Sequence, residues 1–329
     1  MRFLKILTSF FLFLILAYIW HSKQPKLPSN PCLSIVVTIK PIHGLVSAVA
    51  EGVLTPQLLM DKGVSPHSHS LSADEIKTLR NADFVIWIGE IYETHLKEIL
   101  EKTVPLPKIF TLSEKAGLTL YPYRQESLWE GEFQEAHEHH SDDSILHDGH
   151  SHSPHTIDGH LWLDPNNAIA IVNEVAKALS TIDPLHSEKY QSNAAQTVKK
   201  IKDLTNKTKE RLKPIIGKPY LLYHDAMQYF DHYFGTKAIG AITTEPGHPP
   251  KAKHFARLKV LLGNKSSAFH PACIFTEPQF ENDVSINLAK QFSMKYHMLD
   301  YLGQDIAAGP QSYFEIMSRM TDDLLKGLS

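Results

Sequence analysis

Asp83-Phe84-Val85-Ile86-Trp87-Ile88-Gly89 is the stretch whose reading decides the fold. It is apolar almost without a break, the pattern of a strand buried on both faces. Immediately upstream, Ser72 with Glu75 three residues on forms a capping box for a helix running through Arg80. Downstream, a helix from Glu93 to Lys102 is followed by the short strand Lys108-Ile109-Phe110-Thr111. Further out lies the β-branched run Ser34 to Ile39, closed by Lys40-Pro41. Helical periodicity follows from His43 to Gly52, and then a short strand at Leu58-Leu59-Met60. Strand and helix alternating at this pitch predict a parallel sheet covered on both faces.

The same alternation restarts in the second half. Strands are predicted at Tyr220 to Tyr223, Ala238 to Thr243, Cys273 to Thr276 and Tyr296 to Leu299. Helices lie between them, and a last one runs from Ser312 to Leu328. Between the halves, a helix from Pro165 to Ser180 is followed by a long polar amphipathic one from Leu185 to Leu212. At 1.5 Å per residue the second would reach about 40 Å. The expected fold is α/β, with two doubly wound parallel-sheet lobes joined by one long helix. The first lobe covers residues 27–183, the linking helix 184–214 and the second lobe 215–329.

The N-terminus reads as an address. Met1-Arg2-Phe3-Leu4-Lys5 is basic and precedes an apolar run from Ile6 to Trp20, so residues 1–26 are expected to be a signal peptide or an N-terminal anchor. Either one places the remainder outside the cytoplasm, in the periplasm or an equivalent compartment. With 36 acidic against 33 basic residues the net charge is −3, which gives no basic footprint for nucleic acid. Cys32 and Cys273 are far apart and form no CxxC, so the sequence leaves a pair and two thiols equally open.

The 20 histidines are the compositional anomaly. Seven of them, His137, His139, His140, His147, His150, His152 and His155, crowd into the stretch 124–159. There they are interleaved with acids, Asp158 among them, and almost nothing apolar. Such a stretch has no core to bury and is expected to be a mobile loop. Four other residues fall at strand ends or open new segments: His67 after the second strand, His160 in His-Leu-Trp-Leu-Asp-Pro, His224 closing Tyr220 to Tyr223, and Asp300 after Leu299. Open parallel sheets bind ligands at the carboxyl ends of their strands. Two candidates come from each half, so a cleft between the lobes would gather all four. Three imidazoles and a carboxylate suit four-coordinate Zn2+. Their sequence spacings carry no local motif, so the residues alone support a metal-binding two-lobed α/β protein and no more.

A resemblance sharpens this reading. Ile39-Lys40-Pro41, Gly63-Val64-Ser65-Pro66-His67, Asn81-Ala82-Asp83, His160-Leu161-Trp162-Leu163-Asp164-Pro165, His224-Asp225-Ala226, Phe275-Thr276-Glu277-Pro278-Gln279-Phe280 and Leu299-Asp300-Tyr301-Leu302-Gly303 occur in that order, with a His-rich insertion before the second histidine. The chain therefore resembles the ZnuA-type, zinc-uptake branch of the metal-specific solute-binding protein family across residues 34–329. The resemblance implies metal ligation by His67, His160 and His224 with Asp300 as the carboxylate. It gives Asp225 and Glu277 the task of orienting imidazoles, and it makes the long helix a rigid spine that limits rearrangement on binding.

Manganese-binding relatives carry a glutamate where this chain has His224, so the resemblance implies zinc. The implied partners are an ABC transporter permease and its ATPase, and a monomer is expected. The chain departs from the family at Pro66, where many zinc members have an acid, and at His69, where an aromatic residue is common. The loop histidines read as a low-affinity zinc collector or as a merely solvated loop. Alternatives for the whole chain are a manganese or broad divalent-metal binding protein or adhesin, and a zinc hydrolase, for which no motif is present.

Overall fold

The structure is a computed structural model describing residues 33–61, 65–124, 157–243, 250–264, 270–280 and 283–329. The expected N-terminal signal or anchor, Cys32 and the seven clustered histidines lie outside these residues. Among the described residues no helix is long and apolar enough to cross a membrane.

The first sheet assembles from β1 (Ile35–Val37), α1 (Lys40–Ala50), β2 (Gln57–Leu58), α2 (Ala73–Asn81), β3 (Phe84–Trp87), α3 (Leu96–Thr103) and β4 (Ile109–Thr111). All its strand pairs are parallel and the order is β2-β1-β3-β4. β3 is buried at every position, as its apolar run requires. Leu59 N and Met60 N donate to Val37 and Thr38 and carry the β2 pairing two residues further. The capping box of α2 forms as read: Glu75 N donates to Ser72 Oγ, and Ser72 N donates to Glu75 Oε2 at 2.6 Å.

Two helices then leave the first sheet, α4 (Pro165–Ile182) and α5 (Ser187–Leu212). α5 is polar on most of its surface. Its buried positions Tyr190, Asn193, Ala194, Thr197, Ile201, Thr205, Thr208 and Leu212 recur every three or four residues. That spacing keeps one narrow stripe against the protein over the helix's whole length of about 39 Å. The stripe packs on α4 and α1, and Asn193 Nδ2 donates to the carbonyls of Val49 and Glu51 at 2.9 and 2.8 Å.

The second sheet repeats the arrangement of the first. β5 (Pro219–His224), α6 (Gln228–Phe234), β6 (Lys237–Thr243), α7 (Ala252–Gly263), β7 (Cys273–Thr276), α8 (Asp283–Gln291), β8 (Lys295–Met298) and α9 (Ser312–Leu328) follow in sequence. The strands are again parallel, ordered β6-β5-β7-β8. Cys273 lies buried in β7 as a free thiol, its pKa pushed up to about 12 by burial.

In both sheets the order reverses beside the first strand, between β1 and β3 and between β5 and β7. Parallel sheets open a crevice at such reversals. Residues 34–329 form one compact unit, so the two crevices belong to one packed body. α9 helps to close it: although last in sequence, it packs on α1 as well as on β7 and β8. Gly44 of α1 permits this approach, because a Cβ there would lie 2.5 Å from Ser312 Oγ and 2.7 Å from Tyr313 N.

Candidate metal centre

One strand end, one loop and one turn deliver three histidines to one place. His67 comes from the loop after β2, His224 is the last residue of β5, and His160 stands just ahead of the turn Leu161–Leu163. That turn is fixed by Asp164, which caps α4 by accepting from Asn166 N at 2.7 Å, and by Trp162, which is fully buried. The three ring centroids form a nearly equilateral triangle, with sides of 5.4, 5.5 and 5.4 Å. One donor atom from each ring lies within 4.8 Å of the other two. Tetrahedral zinc–nitrogen bonds would draw such atoms to about 3.3 Å, a modest contraction.

The environment fixes which nitrogen faces the centre. His160 Nδ1 meets Asp158 Oδ1 at 2.7 Å, and His224 Nδ1 meets Glu277 Oε2 at 2.8 Å. His67 makes a backbone hydrogen bond at Tyr92. An imidazole whose Nδ1–H is donated presents Nε2 as a lone pair, the arrangement of a metal ligand with its supporting carboxylate. His67 Nε2 and His160 Nε2 are buried and have no hydrogen-bond partner. His224 Nε2 meets only the hydroxyl of Tyr301, at 3.3 Å. Buried lone pairs left without a donor are costly, and a cation at their centre removes the cost.

Charge supports the same use. Burial, followed by the neighbouring imidazoles, holds the pKa of His67 and His160 well below the ordinary value, so both are neutral bases at neutral pH. Burial is the largest single influence on His224 and works against a proton there, but the charge and hydrogen bond of Glu277, with Asp225 and Asp158 behind it, turn the net direction upward. Burial raises the Asp158 carboxyl to about 7 against the hydrogen bond from His160 N.

Of the residues singled out in the sequence, the structure brings together His67, His160 and His224, with Glu277 behind the third. Asp300 is not part of this group. Its Oδ1 accepts from Leu302 N and Gly303 N at 3.1 and 2.8 Å, and its Oδ2 from Gln304 N at 2.6 Å, so the carboxylate shapes the turn after β8. Nor does Asp225 orient an imidazole. It binds the Arg124 guanidinium, with Nε to Oδ2 at 2.8 Å and a second bond from Nη2. His69, a candidate for competition, pairs instead with Glu75 at 2.9 Å.

The residue missed in the sequence is Asp158, grouped there with the acids of the histidine-rich stretch. Pro122 and Ile157 form an antiparallel bridge, and Asp158 N donates to the Tyr121 carbonyl at 2.9 Å, so the first lobe resumes at Ile157, three residues earlier than the composition suggests. An acid two positions before a candidate ligand histidine was the signal available.

A model of the family described as ZnuA, zinc-uptake complex component A, periplasmic, matches residues 35–327. The chain belongs to the ZnuA family. The high-affinity zinc uptake system protein ZnuA of Brucella suis biovar 1 (strain 1330) is 31% identical over 314 residues, spanning 90% of this chain and 91% of that protein. A crystal structure of ZnuA superposes with a TM-score of 0.70 at 18% identity, covering 91% of this chain and 100% of the other. The solute-binding protein FpvC of Pseudomonas aeruginosa, in complex with Mn2+, superposes with a TM-score of 0.71 at 18% identity, covering 90% and 98%. These likenesses establish the ZnuA-type fold for this chain. The metal is a matter for its own side chains.

Proposed function

We propose that the chain captures Zn2+ outside the cytoplasm, between two α/β lobes, and passes it to the permease and ATPase of an ABC uptake transporter. The observation that carries this reading is the convergence of three imidazoles, two of them with buried and unpartnered Nε2 atoms. His67, His160 and His224 are the proposed protein ligands, and the fourth position of a tetrahedral ion goes to solvent. Relatives named high-affinity zinc uptake system protein ZnuA support the same cargo. An all-imidazole set favours Zn2+ over Mn2+, which prefers oxygen donors and lies lower in the affinity order.

Capture without turnover is the proposed chemistry. A hydrolytic zinc needs an unengaged base beside its water. Here the two carboxylates nearest the triad, Asp158 and Glu277, each hold an imidazole. The signal or anchor at residues 1–26 and the collecting role of the histidine-rich stretch belong to the same proposal, as does action as a monomer.

The test is delivery. The chain is supplied with its cognate permease and ATPase to cells lacking zinc uptake, and radioactive zinc accumulation is followed. Uptake that depends on His160 and His224 is expected. Zinc accumulation equal with and without the chain would overturn the proposal.

A further inference from the structure

Three aromatic rings stand against the triad. Tyr92 lies in the loop after β3, Trp162 in the turn that follows His160, and Tyr301 in the turn after β8. Their ring centroids are 5.1, 5.5 and 5.4 Å from that of His160. Tyr92 also packs on His67 at 4.6 Å, and Tyr301 on His224 at 5.9 Å. The three follow one another in a row, Tyr92 to Trp162 at 5.2 Å and Trp162 to Tyr301 at 6.2 Å. At 1%, 0% and 2% exposure they are closed to solvent, and together they make a continuous wall beside the imidazoles.

Rings packed in a core need no further purpose, but Tyr301 reaches into the ligand sphere itself. Its hydroxyl oxygen stands 3.3 Å from His224 Nε2, the atom turned toward the centre. That is the distance between two neighbouring ligands of one tetrahedral zinc ion, so the tip of the ring fills ground that a further ligand would need. The backbone under it is braced from both halves. Trp162 Nε1 donates to the Tyr301 carbonyl at 3.3 Å, and Asp300 ties down the three N–H groups that follow it. Lys40 Nζ holds the Gly303 carbonyl at 2.9 Å. A ring on so fixed a turn has little freedom to withdraw.

Such a wall decides how many ligands an ion can keep. Three imidazoles and one solvent molecule complete a zinc tetrahedron. Mn2+ prefers six donors, so at the same triad it would need three solvent molecules. Each takes about 30 Å3, and close-packed interiors hold few voids larger than one water. We propose that Tyr301, backed by Trp162 and Tyr92, is a specificity-determining residue whose ring denies the triad the space for six-coordination and so rejects divalent ions that require it. The inference rests on the zinc reading above. It acts on coordination number, separately from the preference of imidazole for zinc.

The test uses the full chain and its Tyr301→Phe, Tyr301→Leu and Tyr301→Ala variants, with Co2+, Zn2+ and Mn2+ as probes. Co2+ absorbs strongly in the visible when four-coordinate and weakly when six-coordinate. The parent is expected to give the strong bands. Tyr301→Phe, which frees the space of one hydroxyl, should keep most of their intensity, while Tyr301→Leu and Tyr301→Ala lose it as solvent joins the ion. In competition titrations the preference for Zn2+ over Mn2+ is expected to fall by about tenfold or more in Tyr301→Ala and by less in Tyr301→Leu. Lost packing alone would lower the melting temperature and weaken both ions together without altering the Co2+ spectrum. Weak bands in the parent would overturn the proposal whatever the variants do, so it stays testable even if Tyr301→Ala does not fold. Strong bands with unchanged preference in folded Tyr301→Leu would also overturn it, as would a loss in Tyr301→Phe equal to that in Tyr301→Ala. Zinc binding that ignores His224→Ala would instead remove the zinc reading on which the inference stands.

Discussion

At the scale of single residues, what separates a proposed ligand from a bystander is where the second polar atom goes. His160 and His224 each give Nδ1 to a buried carboxylate and turn Nε2 inward, while His69 gives its Nε2 away to Glu75. Asp300 has the right residue type and follows a strand, but three backbone N–H groups claim its oxygens. Two substitutions separate these roles. Glu277→Gln is expected to weaken zinc binding by about 10- to 100-fold, because the amide holds the ring without its charge. Asp300→Ala should destabilise the fold by about 1–3 kcal/mol, as buried donors of the turn lose their acceptor, yet leave zinc affinity near that of the parent. Denaturant unfolding and chelator competition on the two variants check this. A large affinity loss in Asp300→Ala would return the carboxylate to the ligand set.

Protonation gives a second prediction at this scale. In the metal-free protein the His224 pKa is raised and Asp158 titrates at about 7. Zinc held at the proposed triad would exclude a proton from His224 directly, and by placing positive charge on His160 it would drive Asp158 to the carboxylate. Affinity should therefore fall as pH drops through 7 and level off above it, with protons released on binding below that point. Calorimetry at pH 6 and pH 8 in two buffers of different ionisation enthalpy reads the count directly; equal proton release at both would contradict these assignments.

At the scale of elements, the strands were legible because burial on both faces leaves an unbroken apolar run, as in Phe84 to Ile88, and the capping box because its residues are local. The helix α9 was legible as a helix but not in its partner. Its apolar stripe says that one face is covered, and only the fold says that α1, from the opposite end of the chain, helps to cover it. The same holds for Asp158. Its composition matches the histidine-rich stretch before it, and what distinguishes it is a 2.7 Å contact to a ring two residues away. Gly44 is the point of closest approach in the α1–α9 contact. Gly44→Ala gains helix propensity of about 1 kcal/mol, but it drives a methyl into the backbone of Tyr313. Overpacking of that kind costs about 1–3 kcal/mol, so a net loss in denaturant midpoint is expected with the triad's affinity little changed.

At the scale of the whole molecule, two parallel sheets of the same order belong to one packed body with the triad, and α5 runs along it for about 39 Å. Other bonds cross between the halves beside the site. Lys40 Nζ donates to Gly303 and Gln304 carbonyls at 2.9 and 3.2 Å, Trp162 Nε1 to Tyr301 at 3.3 Å, and Tyr229 Oη to Asp158 at 2.7 Å. With the halves tied together this closely beside the triad, little closure is expected on binding. Zinc should raise the melting temperature strongly through mass action while leaving the radius of gyration in solution scattering unchanged within error. A clear contraction on binding would mean that the lobes stand further apart in the free protein.

The central claim is that the tight site is the triad. Chelator-competition titration of Zn2+ on residues 27–329 tests it most directly, run beside His224→Ala and beside a variant lacking residues 136–159. The account predicts one tight site that survives removal of the histidine-rich stretch and is weakened by about 100-fold or more in His224→Ala. Tight binding that disappears with the stretch and ignores His224 would contradict it.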